Sequence, residues 1–579
     1  EVTITGLIDI ETTSIAIPNT INGRRVTKIA KTAFNSRVSL AYVYIPSNVK
    51  VIEEGAFRGT NKLLSINVDS DNLYYTSENG ILYTKNKDTL VCYPIKCGST
   101  YSLPSSVKRI ASYAFYYHRD GGIASINLNE GLEEIGDYAF YLNESMSSIS
   151  FPSTLKTIGR GAFYGSSTSD EDNSYISPQG VLTNVNFNEG LKTIKEFAFV
   201  NQYFKDSFTL PSTVETIEPY AFANCTAITK LTLPSGLKTL GGNAFAGCTG
   251  ILETAVASGN TNYCAYDGII YSNDMSTLVM CPSGRVEKVV IPEGVSSIAD
   301  YGFYMVDELQ EYEFPSTLTT IGKQAFSQTY GLRSFTIPNS VTSIGEEAFY
   351  ASGISSISIG TGLSTLPEAL FCDTKLISVE IPGNVKTIGY ECFAGSPLTS
   401  VTLNEGVEVL DDAAFASTKV SSINFPESLT SIGNSCFSGA NVTSLYVGKN
   451  LSNIGDTAFY SSSTSSITLT SISCNPSNEK YSANNNVLFS KDGKKLYFSS
   501  LITNTSYSIP EGVEIIGPFA FAYLKSITSL TFPSTLTSIG EGAFMYSKAT
   551  SLTFPSSLKS IGDGAFFFSY ATEVNFSEG

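Results

Sequence analysis

The sequence repeats itself every 22 or 23 residues, and a chain built that way folds by stacking units rather than as one globule. In residues 228–250 the apolar positions are Ile228, Leu231, Leu233, Leu237, Leu240 and Ala244-Phe245, with Pro234 after the second pair. One unit earlier Val214, Ile217 and Ala221-Phe222 fill the same slots, 23 residues back. With ϕ for an apolar residue, the unit reads ϕxxϕxϕP-xxϕxxϕ-xxxAF. Its Phe recurs at Phe34 and Phe57, then Phe115, Phe140, Phe163, Phe199, Phe222 and Phe245. It continues at Phe303, Phe326, Phe349, Phe371, Phe393, Phe415, Phe437 and Phe459, and ends with Phe521, Phe544 and Phe566. No unit of this length buries its apolar side alone; neighbours bury it for one another. A stack grows along one axis, so 579 residues set no domain count here.

Each slot has a physical reading. Leu231 and Leu233 alternate with polar residues, the period of a short strand with one face inward. Pro follows at Pro46, Pro104, Pro152, Pro211, Pro234, Pro292, Pro315, Pro338, Pro382, Pro426, Pro510, Pro533 and Pro555. Lacking an N–H, it marks where the chain leaves the ladder. Elsewhere Asn129, Asn188 and Asn404, each in Asn-Glu-Gly, or Gly360 and Gly448, supply turn chemistry. The second ϕxxϕ and the Ala-Phe pair point inward from the opposite wall. Ala permits a close turn and Phe fills the coil.

The spacing jumps three times, after Phe57, Phe245 and Phe459, and the inserted segments resemble one another. Asn72, Tyr75 and Gly80-Ile81-Leu82-Tyr83 correspond to Asn260, Tyr263 and Gly268-Ile269-Ile270-Tyr271, and to Asn478, Tyr481 and Asn486-Val487-Leu488-Phe489. Two alternating apolar runs joined by polar turn residues predict a β-hairpin in each. The hairpins are expected to bud from a rod and divide it into blocks 1–68, 101–251, 286–470 and 506–579, with inserts 69–100, 252–285 and 471–505. Ser166–Gln179 is acidic and lacks an apolar pattern, so a mobile surface loop is expected there.

Composition narrows the chemistry. The net charge is −17 with no basic cluster, which argues against nucleic acid, and no apolar run approaches the roughly 18–20 residues of a membrane helix. The chain begins at Glu1 without an apolar leader and stops inside a repeat, so both ends are expected to be processed or cut. Ten cysteines form no CxxC pair, and His118 is the only histidine, which removes Cys/His zinc patterns. Cys225 and Cys248 share one slot on successive units, and Cys392 and Cys436 take the Ala slot. Buried small hydrophobes are the expectation, with a Cys225–Cys248 disulfide as the alternative. Nothing singles out partners for His118 in a Ser-His-Asp arrangement. Asp69-Ser70-Asp71-Asn72 and Asp170-Glu171-Asp172 lack the spacing of a calcium loop. No catalytic, metal or cofactor site is expected.

The segments "LTLPSGLKTLGGNAFAGC" (231–248), "YTSENGILY" (75–83) and "INGRRVTKIAKTAF" (21–34) resemble the Treponema-type leucine-rich repeat of BspA-like surface proteins, and the resemblance covers essentially the whole chain. It implies a right-handed leucine-rich-repeat solenoid, α/β by convention but mostly β, of about 22 coils. A parallel sheet on the concave face, short helical turns elsewhere and three β-hairpin inserts complete that expectation. It further implies an extracellular or cell-surface location, a bacterial source, and, as in some members, adhesion to host or bacterial surface molecules. The family has no shared catalytic residues, and Pro stands where LxxLxLxxN repeats carry an Asn ladder.

Outward positions of the first strand are mostly small: Ser125/Asn127, Ser148/Ser150, Ser334/Thr336, Ser356/Ser358, Ser400/Thr402, Ser422/Asn424, Ser529/Thr531 and Ser551/Thr553. Sheet geometry accounts for these, since short polar side chains bond across strands. Tyr42, Tyr44, Glu311, Glu313, Glu380 and Tyr446 stand out and are expected to mark contact patches, the alternative being isolated solvated side chains. The expected role is a monomeric, non-enzymatic scaffold that binds a surface protein or glycan; the rival is a spacer displaying another domain. Phe393→Ala is expected to lower stability by about 3–5 kcal/mol, read as a lower denaturant midpoint.

Overall fold

A computed structural model describes the chain apart from residues 8, 10, 118–121, 170–175, 179–180, 205–207, 461–468, 501–502, 525 and 578–579. It has two compact units, residues 1–286 with 301–306 and residues 287–300 with 307–579. Each is a right-handed, mostly parallel β-solenoid, with about 24 turns in all. About 22 coils were expected; the opening strand Val2–Ile4, paired with Arg24–Ile29, precedes any Ala-Phe, and none follows the last strand, Glu573–Phe576.

Two parallel ladders run through each unit. The first is the strand read from the ϕxϕ pattern: Ser378–Ile381, Ser400–Leu403 and Ser422–Asn424 pair with Ser378 opposite Ser400 and Ser400 opposite Ser422. Val379, Val401 and Ile423 face the core between exposed neighbours. The second ladder, absent from the expectation, uses two-residue strands such as Thr387–Ile388, Val409–Leu410, Ser431–Ile432 and Asn453–Ile454. Two residues are too few to show a period.

Short helical turns were expected outside the parallel sheet; no helix occurs among the described residues. The reason lies in where the amides point. Tyr113, Phe115 and Tyr117 donate N–H groups to Asp137, Ala139 and Tyr141 carbonyls of the next coil at 3.0, 2.7 and 2.8 Å. The intervening Ala114 and Tyr116 amides return to Ala111 and Tyr113 in their own turn. A helix would send every amide back to its own chain. At most of the turns this alternation places the residues two before and two after the Phe in the left-handed region: Tyr113 and Tyr117 both at φ 63°, Gln324 at 50° and Gln328 at 57°, Ala413 at 55° and Ser417 at 57°. Gly takes the strain-free version at Gly55 and Gly59.

The Phe rings stack along the bore. Phe371–Phe393, Phe393–Phe415 and Phe415–Phe437 have centroids 5.3, 5.3 and 5.5 Å apart, with planes within 20°. Phe163–Phe199, Phe199–Phe222 and Phe222–Phe245 do the same at 5.2, 5.3 and 5.2 Å. Cys392 and Cys436 are buried beside this stack. Cys225 and Cys248 are free and buried, and their thiols donate to the Phe199 and Phe222 carbonyls at 3.1 Å. They serve as packed small residues.

The Asn-Glu-Gly turns are half of an inter-coil lock. Asn129 donates backward to the Pro104 and Val107 carbonyls. Glu189 accepts from the Ser212 amide and hydroxyl of the next coil at 3.0 and 2.9 Å, and the Gly190 amide donates to Thr213 Oγ1 at 2.9 Å. Thr213 Oγ1 then donates to the Leu191 carbonyl. The same set joins Glu130-Gly131 to Ser153-Thr154, Glu293-Gly294 to Ser316-Thr317, and Glu511-Gly512 to Ser534-Thr535. Gly190 sits at φ 120°, where a Cβ would also lie 2.0 Å from the Ser153 carbonyl oxygen. No other residue fits.

The inserts are three-stranded antiparallel meanders spliced into the second ladder, not hairpins standing off it. In the first, Tyr75–Glu78, Ile81–Thr84 and Thr89–Cys92 pair in order, and Thr89–Cys92 then pairs in parallel with Arg109–Ile110. The third repeats this with Tyr481–Asn484, Val487–Ser490, Lys495–Ser499 and Ile515–Ile516. Ile81, Leu82 and Tyr83 are buried on both faces, which a freely standing hairpin could not satisfy. Within Ser166–Gln179, where a mobile loop was expected, Ser167–Ser169 pairs antiparallel with Ile176–Pro178; Asp170-Glu171-Asp172 lies outside the described residues.

Ala413→Gly is expected to stabilise the fold by about 0.5–1 kcal/mol, the relief of left-handed strain exceeding the entropy of Gly, measured as a raised thermal midpoint. Bonds led by the Ser212 amide hold the Glu189 carboxylate below its usual range. Its contribution is therefore complete above the unfolded value of about 4.3 and is lost as pH falls through the lower folded value. The drop in denaturant midpoint between neutral and strongly acidic buffer should be smaller for Glu189→Gln than for the parent.

Candidate functional site

The outward face of the first ladder carries the side chains singled out from the sequence. On strand Tyr42–Ile45, Val43 and Ile45 are buried, which turns Tyr42 and Tyr44 outward at 48% and 40% exposure. Tyr42 lies between Ser14 and Ser65, and Tyr44 between Ala16 and Asn67. The Tyr44 hydroxyl donates to Asp69 Oδ2 at 2.9 Å, and that bond to a carboxylate raises its pKa and keeps the phenol protonated. Exposed Leu64 follows on the adjoining coil, its amide bonded to the Ala41 carbonyl beside Tyr42.

In the second unit Glu311 and Glu313 flank Tyr312 on the outward face, and Lys288 pairs with Glu313. Tyr312 packs against Phe314 and Phe335 at 4.6 and 4.7 Å. Its hydroxyl donates to the Ser334 carbonyl at 3.0 Å and accepts from the Thr336 amide at 3.2 Å, so it bridges to the next strand. Burial pushes the Tyr312 phenol up to about 12. Glu311, Glu313, Lys288, Tyr312, Ser334 and Thr336 line a groove of about 500 Å³.

Glu380 accepts from Asn404 Nδ2 at 3.0 Å. Tyr446, 42% exposed, donates to Glu427 Oε1 at 3.3 Å and accepts from Asn475 Nδ2 at 3.2 Å. Strands Ser334–Thr336 and Ser356–Ser358 separate Glu313 from Glu380, and Ser400–Leu403 with Ser422–Asn424 separate Glu380 from Tyr446. At the usual strand spacing each gap is about 14 Å. These residues make separate spots along one face rather than one cluster, and Tyr42 and Tyr44 belong to the other unit.

Two features escaped the sequence reading. Phe208 and Leu210 fit the ϕxϕP slot but form no strand. Among the described residues Asn184–Asn186 pairs only with Ser148–Ser150, and Leu231–Leu233 only with Thr254–Val256. A groove of about 820 Å³ lies there, lined by Phe204, Phe208, Lys230, Thr232, Glu189 and Ser212. The only signal was an extra aromatic, Phe204, crowding that coil. The second feature is a half-buried tyrosine stripe on the Ala-Phe turns. Tyr113–Tyr138, Tyr116–Tyr141 and Tyr141–Tyr164 stack at 5.3, 5.0 and 5.1 Å, with the Arg58 guanidinium 5.4 Å from the Tyr113 ring centre. Tyr recurring two before and one after the motif Phe could have revealed it.

His118 lies outside the described residues. Among those described, no group of three or more His, Cys, Asp and Glu could hold a metal ion, and no helix is long and apolar enough to cross a membrane.

Residues 9–89, 93–176, 178–267, 280–399, 364–487 and 494–579 match the BspA type leucine rich repeat region in six copies. The chain belongs to that family. The BspA-type chain is also similar to a leucine rich cell surface protein from Faecalibacterium prausnitzii, at 20% identity over 80% of this chain and 90% of that one, TM-score 0.35. A second similar structure is the pneumococcal vaccine antigen PcpA, at 22% identity over 78% and 86%, TM-score 0.36. A third is a leucine-rich repeat protein from Bacteroides ovatus, at 19% identity over 98% and 92%, TM-score 0.22. No curated protein matches the sequence.

Proposed function

We propose that this BspA-type protein is a non-enzymatic bacterial scaffold, secreted or held at the cell surface, that binds a host or bacterial surface protein or glycan through the outward face of its first ladder. The observation that carries the reading is the Tyr42–Tyr44 pair. Two exposed aromatic side chains stand on one strand, one of them fixed by Asp69. Aromatic anchors with few rotatable bonds give much contact area for little lost entropy. Glu311, Glu313, Glu380 and Tyr446 supply further polar contact points on the second unit, and the monomer acts alone. The location and source follow the BspA-type resemblance.

A spacer remains the rival reading, favoured by one observation. From Ser334/Thr336 to Ser356/Ser358, and again from Ser400/Thr402 to Ser422/Asn424, the outward face carries only short polar side chains. Such a surface lacks the aromatic and Arg anchors that concentrate binding energy.

The test is a screen of the purified chain against glycans and extracellular matrix proteins. Tyr42→Ser/Tyr44→Ser is expected to weaken a hit by roughly thirtyfold, the size of a hot-spot loss. A panel without any hit would favour the spacer, and a hit that this double variant leaves intact would remove the Tyr42–Tyr44 patch as its site.

A further inference from the structure

The first and third inserts each lay a strand across the bore, with apolar side chains pointing both ways. In the first, Leu82 and Cys92 belong to the core that contains Phe34, Val43 and Phe57. Ile81, Tyr83 and Leu90 belong to a separate core that contains Phe115, Phe140 and Phe163. Neighbouring residues of one strand thus serve different cores, as the period of two in a strand permits. The pairing shifts register between Leu90 and Cys92, and that bulge turns Cys92 to the side opposite Leu90.

The third insert repeats the device, and the second repeats its near side. Ile270 and Met280 join the core of the first unit, with the same register shift beside them. Val487, Phe489 and Leu496 join the core that contains Phe521 and Phe544. Across the shift, Phe498 meets the Phe459 ring at 5.7 Å on the other side.

The second ladder stops at each insert, as it also does between Ser343–Ile344 and Thr365–Leu366. Val51–Ile52, Thr239–Leu240 and Asn453–Ile454 are terminal strands of their sheets. The amides of Ile52, Leu240 and Ile454 donate to the hydroxyls of Tyr75, Tyr263 and Tyr481 at 2.8, 3.0 and 3.1 Å. Each Tyr is held by the Asn three residues earlier. Asn72 accepts from the Tyr75 amide and donates to the Pro46 and Val49 carbonyls, and Asn260 and Asn478 do the same at their positions.

We infer that the first and third inserts are septa: each closes one run of coils and starts the next, so that opening of one run halts at the insert. In an uninterrupted solenoid disorder passes from coil to coil through shared interfaces and fades gradually. A septum with its own apolar surface on both sides, and a hydroxyl capping the ladder, gives the remaining run a finished end.

Hydrogen exchange of the full-length chain tests this, because local opening is read amide by amide. Phe34→Ala should speed exchange of Tyr42–Ile45 and Ser65–Val68 by about a hundredfold or more. Arg109–Ile110 and Glu134–Ile135 should keep their parent rates. A sharper pair is Leu82→Ala against Tyr83→Ala, adjacent residues that should act on opposite sides, the first on Tyr42–Ile45 and the second on Arg109–Ile110 and Glu134–Ile135. Acceleration that fades smoothly across residues 81–92, equal effects of the two variants on both sides, or loss of protection along the whole chain would each overturn the inference.

Discussion

The hydrogen bonds that leave most Ala-Phe turns for the next coil hold the rest of the arrangement in place. With alternate amides committed to a neighbour, the turn cannot close into a helix. The Phe that follows Ala is carried to the same height in every coil. The stacked rings of Phe371, Phe393, Phe415 and Phe437 are a consequence of that backbone registration as much as a cause of it. The arrangement comes with a local penalty, the left-handed residues at both ends of the turn, and it persists because no coil can relax without releasing its neighbours.

That registration bears on recognition. A side chain on the first ladder inherits its position from two flanking coils, so Tyr44 needs only the Asp69 bond to be fixed, and Tyr446 only Glu427 and Asn475. The face is thus preorganised, which lowers the entropy lost on binding. It is also discontinuous. Spots such as Glu311 and Glu313 stand among runs of Ser and Thr.

How much could be read in advance varied with how often a signal recurred. The first strand and the Phe stack were legible because every coil restates them. The second ladder was not, since Thr387–Ile388 and its equivalents are two residues long. Helical turns were expected outside the sheet without an assigned place, and at the Ala-Phe turns the direction of the Tyr113 and Phe115 amides decides the geometry. The inserts were recognisable as paired strands. Their place in the wall was not, because nothing in "GILY" says that Leu82 and Tyr83 face different cores. On the candidate face, Tyr42 and Glu311 were visible as exceptions to a pattern. The groove beside Phe208 arises from a strand that fails to form, and such a failure leaves the pattern intact.

The Glu-Gly and Ser-Thr halves of the inter-coil lock have a consequence for how such a chain changes length over generations. The two halves lie on successive coils, Glu189-Gly190 on one and Ser212-Thr213 on the next. Inserting an unrelated coil between them would leave a carboxylate and a hydroxyl each facing a stranger. Copying the two coils together would keep every lock complete. Growth and shrinkage by tandem pairs would therefore be tolerated more readily than by single coils, and the heritable module is the joint between coils rather than the coil.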